Sequence, residues 1–339
     1  MKIKVSKIEE DDIPELIKFN KRIYPTRNKI EESFSFRFLN NPFAQQLNSL
    51  VSRLEDNSII GQILIMPVQF KYNNEIKDAA WGMDYVVDEE HRGSIAGVQL
   101  CKKALKENLH FGIGLSDVSL KMHLIFNERV IGKMTKFVKI HKVFSLVNRS
   151  FKKNTRIQAT FPEKIQVGNT CFYKVHRPEE IKSDNGYWHE DQYLEFSRNN
   201  DFLKWRFFYY QEKYTVYKLQ DDTNNFKSVY FVLKNIVWKN LNCFLLVDYR
   251  INANRDFQNI LKAVSKLAKI NNIAATITGS SLDSLDKELK KKLYFPYGSR
   301  MDIVTNFKDI LSANELENSK VMVTFADADC EHYYGSKEW

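Results

Sequence analysis

A chain of 339 residues with 43% hydrophobic and 13% aromatic content has ample material for packed cores and exceeds what a single core ordinarily supports, so two domains are expected. The formal net charge of +9 is less than a nucleic-acid binder concentrates on one face, which sets nucleic acid aside as a partner. No run of about 18 apolar residues exists, and Met1-Lys2-Ile3-Lys4-Val5 lacks the apolar stretch of a signal peptide; the expectation is a soluble, cytoplasmic protein without a membrane span.

In chain order, residues 3–7 predict a short strand. Ile13, Leu16, Ile17, Asn20 and Ile23 then keep helical spacing. Strands are predicted over 51–54 and 59–72, around a turn at Asp56-Asn57, and a further strand over 81–87. A helix follows from about 95 to 109, then a strand over 111–115, a helix over 117–128 and a closing strand over 135–141. Between Lys139 and Lys164 lie seven basic residues (Lys139, Lys142, Arg149, Lys152, Lys153, Arg156, Lys164) against one acid, Glu163, which predicts a solvated connection able to steer an anionic ligand. The second half predicts a strand over 171–176, a largely helical 191–210, strands over 214–220, 228–237 and 242–249, and a helix over 257–269. A strand over 273–278, a helix over 282–293 and a last strand over 321–325 complete it.

Cys101, Cys171, Cys243 and Cys330 are too scattered for a zinc site or a disulfide framework and are expected to be reduced thiols, Cys101 as a packed residue. No metal is expected. The run Asp327-Ala328-Asp329-Cys330-Glu331-His332 puts alternating acids together, but without a second ligand cluster it predicts a turn after the final strand.

The most informative stretch is the strand Trp81-Gly82-Met83-Asp84-Tyr85-Val86-Val87, followed by Asp88-Glu89-Glu90 and His91-Arg92-Gly93-Ser94-Ile95-Ala96-Gly97. A strand that delivers the chain into a small-residue turn opening a helix leaves unpaired amides at the positive end of that helix, a setting for phosphate. A P-loop would need Lys-Ser or Lys-Thr closing the turn, and a dinucleotide fold a third glycine with a ribose-binding acid; neither is present. The pattern of apolar strand, polar residues, Arg-Gly, small residues and amphipathic helix resembles the acetyl-coenzyme A signature of the GNAT N-acetyltransferases. Arg92, Gly93 and Gly97 match it, whereas Ile95 stands where a middle glycine is usual.

The two halves also resemble one another. Phe36-Arg37-Phe38 recurs as Trp205-Arg206-Phe207, Leu54-Glu55-Asp56 as Leu219-Gln220-Asp221, Asp84-Tyr85 as Asp248-Tyr249, and Arg92 as Arg255, at a spacing that shrinks steadily. The whole chain therefore resembles bacterial proteins with two tandem GNAT-like domains, which implies an α/β (α+β) fold, each domain a mixed, mostly antiparallel twisted sheet flanked by helices. The implied division is an N-terminal GNAT domain over 1–145, a basic linker over 146–170 and a degenerate GNAT-like domain over 171–339. The second bend, Arg250-Ile251-Asn252-Ala253-Asn254-Arg255-Asp256, has no glycine, so the first domain is expected to hold the coenzyme.

The resemblance implies acetyl-CoA as co-substrate, bound by Val86, Val87, Arg92, Gly93, Ser94, Ile95, Ala96 and Gly97, and direct transfer to an amine of a small molecule, amino sugar or peptide. The family often supplies its acid from a tyrosine on the helix after the next strand; here that helix, 117–126, has none. Substitute catalytic residues are Tyr85, Asp84 and His123. Tyr85 and Asp84 are adjacent on a strand and face opposite ways; His123 sits on the helix that carries the acid, and its plain alternative is a surface residue. Two other readings stay open, a non-catalytic GNAT-like scaffold and a FemAB-type aminoacyl transferase.

Overall fold

The computed structural model describes residues 2–142, 158–183, 186–188, 194–210, 212–220, 227–308, 321–328 and 330–331. Arg149, Lys152, Lys153 and Arg156 of the basic segment, and Asp329 and His332 of the terminal run, lie outside the described residues.

The first half runs β1 (Lys4–Lys7), α1 (Ile13–Ile23), α2 (Ile30–Phe34) with a π-helical turn (Ser35–Leu39), β2 (Leu50–Arg53), β3 (Ile59–Tyr72), β4 (Glu75–Val87), α3 (Ala96–Glu107), β5 (His110–Ile113), α4 (Asp117–Ile125) and β6 (Arg129–Ile140). The second runs β7 (Lys164–Val167), β8 (Thr170–Val175), β9 (Leu194–Phe196), α5 (Asn200–Leu203) with its own π-helical turn (Lys204–Phe208), β10 (Thr215–Leu219), β11 (Tyr230–Trp238) and β12 (Leu241–Arg250). It ends with α6 (Asn254–Ile270), β13 (Ala275–Ser280), α7 (Asp283–Lys291), β14 (Phe295–Pro296), β15 (Met301–Thr305) and β16 (Val321–Met322). The order β2, β3, β4, α3, β5, α4 is thus matched by β10, β11, β12, α6, β13, α7. Both long hairpins turn on two residues with positive φ, Asn73 and Asn74 in one and Lys239 and Asn240 in the other, the turn whose twist suits paired strands.

The strands join one mixed sheet in the order β1-β2-β3-β4-β5-β15-β6-β13-β12-β11-β10-β8-β7. Two strands are exchanged between halves. β15 enters antiparallel between β5 and β6 (Val304 opposite Gly112, Met301 opposite Met134), and β6 pairs along its far half with β13 (Val138 opposite Ile277). β9 adds to the edge of β3, Phe196 opposite Phe70. The expectation of a largely helical 191–210 is therefore corrected over Leu194–Phe196, and β15 is a strand where none was expected; pairing with distant partners, not local preference, decides both.

The repeated aromatic triplets meet. Trp205 stacks on Phe36 with ring centroids 5.1 Å apart at 21°, and its indole nitrogen donates to the Phe36 carbonyl at 2.7 Å across 169 residues of sequence. This contact belongs to the largest apolar core, which runs through both halves and includes Phe70, Trp81, Phe111, Met134, Phe196, Ile303 and Phe325. The helices α3 and α6 cover the other side, the latter burying Phe257, Ile260, Leu261, Val264 and Leu267. No described helix is long and apolar enough to cross a membrane.

Candidate functional site

β4 and β5 are parallel neighbours for two pairs only, Ala80 with His110 and Trp81 with Phe111. β4 continues to Val87 without β5 beside it, so a wedge opens between the strands from Gly82 onward. Within β4 a bulge interrupts the ladder to β3 (Gln62 opposite Val86, Leu64 opposite Met83), and Asp84 takes a positive φ of 46°. The bulge sends the two expected residues to opposite sides, as their adjacency required. Asp84 faces the α1–α2 side, where Arg27 contacts it at 2.7 Å and Arg37 at 3.9 Å. Tyr85 faces α3 and α4: its hydroxyl donates to the Gly97 carbonyl at 2.7 Å and lies 2.9 Å from Met122 Sδ. Burial pushes the Tyr85 phenol well above its ordinary range.

Val86 and Val87 end β4 opposite Gln62 and Gly61. Beyond them the chain enters the turn that opens α3. Gly93 has a φ of +90° and open space where a Cβ would stand, while Arg92 is 62% exposed, 3.6 Å from Glu89. The Ser94 amide donates to His91 and the Ala96 amide to the Ser94 hydroxyl. The amides of Gly93, Ile95, Gly97 and Val98 have no partner among the described residues, which leaves a helix of 12 residues with free donors at its positive end. Ile95, in place of the usual glycine, is 56% exposed. Gly97 is small for a local reason: a Cβ there would stand 3.1 Å from the Tyr85 hydroxyl.

The equivalent bend before α6 is closed by its own chain. The Asp256 carboxylate accepts from the Asn252 amide at 3.1 Å and the Ala253 amide at 2.8 Å, placing a fixed negative charge where a phosphate would sit. Tyr249, the counterpart of Tyr85, donates instead to Gly279 on β13 at 3.1 Å and so bridges β12 to β13. This bend therefore differs from the one before α3 both in lacking glycine and in having two amides capped by Asp256. Further along the second half, Asp327 pairs with Arg198 at 2.9 Å and caps Thr324, so the terminal acidic run begins as a turn.

His123 is not a surface residue. It lies on α4 at 1% exposure, and its Nδ1 is hydrogen-bonded to Glu128. The other Glu128 oxygen accepts from Nδ1 of His110, the first residue of β5, at 2.8 Å. The two imidazoles stack at 5.4 Å and 19°, and the Tyr85 ring stands edge-on to His123 at 6.2 Å. Burial works against the Glu128 charge, but the hydrogen bonds from His110 and His123 outweigh it and hold the carboxyl down at about 2. An ionised carboxylate only accepts, so both rings turn an Nδ1–H toward it and Nε2 away from it. Neither Nε2 has a partner among the described residues. That of His110 sits directly over Gly82, where an added Cβ would lie 2.0 Å from it, at the apex of the wedge. The His110 amide and carbonyl are held by Asn306 and Thr305, just beyond and within β15.

The donor atoms of His110, His123 and Glu128 lie within 4.8 Å of one another, close enough to chelate. A metal-bound histidine anchors its second nitrogen on a carboxylate, carbonyl or water; here Glu128 already anchors Nδ1 of both rings, so the two Nε2 atoms are the ligand positions that remain. The cluster is a hydrogen-bonded unit. His110 heads the apolar run Phe111-Gly112-Ile113, and Glu128 stands between Asn127 and Arg129 beyond α4, so neither is marked in the sequence as the other's partner.

No protein-family model matches this chain, and no curated protein matches it by sequence. Solved structures do. A probable N-acyltransferase of unknown function from Enterococcus faecalis aligns over 89% of this chain and 72% of its own, with a TM-score of 0.62 and 11% identity. A GCN5-related N-acetyltransferase from Anabaena variabilis covers the same shares at a TM-score of 0.55 and 14% identity. The N-myristoyltransferase of Saccharomyces cerevisiae, solved with myristoyl-CoA and inhibitors, aligns over 95% of this chain and 86% of its own at 0.57 and 12%. The chain has the GNAT fold.

Proposed function

We propose that the protein is an acetyl-CoA-dependent N-acetyltransferase built from two tandem GNAT-like domains, with the coenzyme held in the first. The observation that carries this reading is the group of unpartnered amides at Gly93, Ile95, Gly97 and Val98, next to the wedge between β4 and β5. Amides at a helix start bind phosphate through their own dipoles and that of the helix, with Arg92 at hand as a mobile cation. A pantetheine arm entering from that turn would meet the unpaired edge of β4 beyond Trp81. Transfer then needs a polarised thioester carbonyl, a neutral amine and a proton for the departing thiolate. Asp84, paired with Arg27 and Arg37, and Tyr85 flank β4 where the thioester would lie, and an amine of a small molecule, amino sugar or peptide would reach it there, with His123 beside Tyr85.

Isothermal titration of the full chain with acetyl-CoA tests the reading. One site is expected, and Arg92→Glu, which sets a carboxylate against phosphate, should weaken it roughly tenfold or more. An absence of heat at millimolar acetyl-CoA sinks it. A second reading, a coenzyme-binding protein without turnover, is favoured by the absence of a tyrosine from α4; binding without thiol release across an amine panel is its signature.

A further inference from the structure

The buried His-Glu-His cluster has an unusual proton inventory. One carboxylate accepts from two imidazoles, and two Nε2 atoms are left without a partner, buried away from water. Leaving a buried polar atom unmet is unfavourable, and a hydrogen-bonding partner from a bound molecule would recover the loss. The cluster is also placed between the two ends of the proposed coenzyme path. From the phosphate turn, contacts run from Gly97 to Tyr85, from Tyr85 edge-on to His123, and through Glu128 to His110 over Gly82 at the wedge apex.

We propose that His110, Glu128 and His123 form the proton-transfer unit of acyl transfer, with Nε2 of His123 as the catalytic atom and Glu128 and His110 as positioning residues. This rests on the acyl-transfer reading and extends it to residues no tyrosine replaces. The amine nitrogen bonds to the thioester carbon and gives up a proton to His123 Nε2; the carbon–sulfur bond then breaks, and the same proton passes to the coenzyme thiolate. His123 is a transient imidazolium between these events, its Nδ1 proton held by Glu128, and the unit returns to its starting state. His110 holds the second Glu128 oxygen, so the carboxylate cannot rotate away. The ionisable groups facing His123 are Tyr85 from β4, Cys101 from α3, Glu128 and His110; Tyr85 and Cys101 stay neutral because burial pushes both upward, the Cys101 thiol to about 12.

The test uses the full chain with acetyl-CoA, scoring binding by calorimetry and thiol release with glucosamine, spermidine and a peptide with a free amino terminus. His123→Gln and Glu128→Gln are expected to bind acetyl-CoA as the parent does while kcat falls about 100-fold or more, and Glu128→Gln should displace the near-neutral limb of the pH–rate profile. His110→Gln should lower kcat less, with KM unchanged. Independently of variants, long-range nitrogen–proton NMR of the parent should show both rings protonated at Nδ1, and coenzyme A should move the His123 Nε2 resonance. Binding with unaltered turnover and pH profile in both glutamine variants overturns the relay alone, as does a coenzyme-insensitive His123 resonance. One equivalent of metal in the purified protein makes the cluster a metal centre and also overturns it. No binding of acetyl-CoA removes the acyl-transfer reading and the relay with it.

Discussion

Asp248 offers the sharpest quantitative prediction. Its carboxylate is fully buried and accepts from Arg198 Nε at 2.9 Å, Arg198 Nη2 at 3.2 Å, Arg250 Nη1 at 3.0 Å, the Tyr230 hydroxyl at 2.6 Å and the Thr324 hydroxyl at 2.7 Å. Burial alone would raise its pKa, but the two guanidinium charges outweigh it and hold the group at about 2 against an ordinary 3.8. A carboxyl so depressed contributes about 2–3 kcal/mol at neutral pH. Its folded pKa lies below its unfolded one, so this contribution is complete above 3.8 and is lost as pH falls toward 2. Asp248→Asn also takes from Arg250 its nearer carboxylate, at 3.0 Å, leaving it Glu195 at 3.9 Å, while Arg198 keeps Asp327 at 2.9 Å. The expected loss at pH 7 is therefore about 3 kcal/mol, the low end for breaking a buried pair. Urea unfolding of parent and variant between neutral and strongly acid pH measures it: the gap should be widest at neutrality and close on acidification. A gap below about 1 kcal/mol, or one that stays constant with pH, refutes the account.

Other consequences are more local. Gly82→Ala drives a methyl to 2.0 Å from His110 Nε2, and since Glu128 pins that ring the variant should lose about 1–3 kcal/mol in denaturant unfolding; an unchanged midpoint would show the ring to be free. Asp256→Ala should cost about 0.5–2 kcal/mol as a lost helix cap, yet calorimetry should still find a single acetyl-CoA site. All four cysteines are buried, and burial pushes Cys101 and Cys243 up to about 12; a colourless thiol reagent assay at pH 8 should therefore stay silent on the folded protein and register four thiols only after denaturation.

Much of the fold was legible because most of its elements are local patterns. The turn at 92–97 declared itself through small residues after an apolar strand, and the repeated aromatic triplets pointed to a symmetry that the Phe36–Trp205 stack makes physical. Other features had no local mark. β15 is five residues between loops, and the repeat suggested that each half would close its own sheet; instead β15 pairs with β5 and β6 of the other half. The wedge depends on where a parallel ladder stops, which no single strand reveals. His110 and Glu128 are 18 residues apart and become partners only once β5 and α4 are packed. His123 was singled out for its helix, but its burial follows from Glu128, which lies beyond that helix.

The exchange of β15 has a consequence for the birth of the protein. His110 is tethered at its amide by Asn306, 196 residues downstream, so a ribosome must have made the chain through β15 before the wedge acquires its wall. Until then the nascent first half displays the unpaired flank of β5, a sticky margin open to wrong partners. A gene truncated after β6 would thus encode an unfinished module, and fragment complementation, with both pieces synthesised together, is the route by which such a split could regain its architecture.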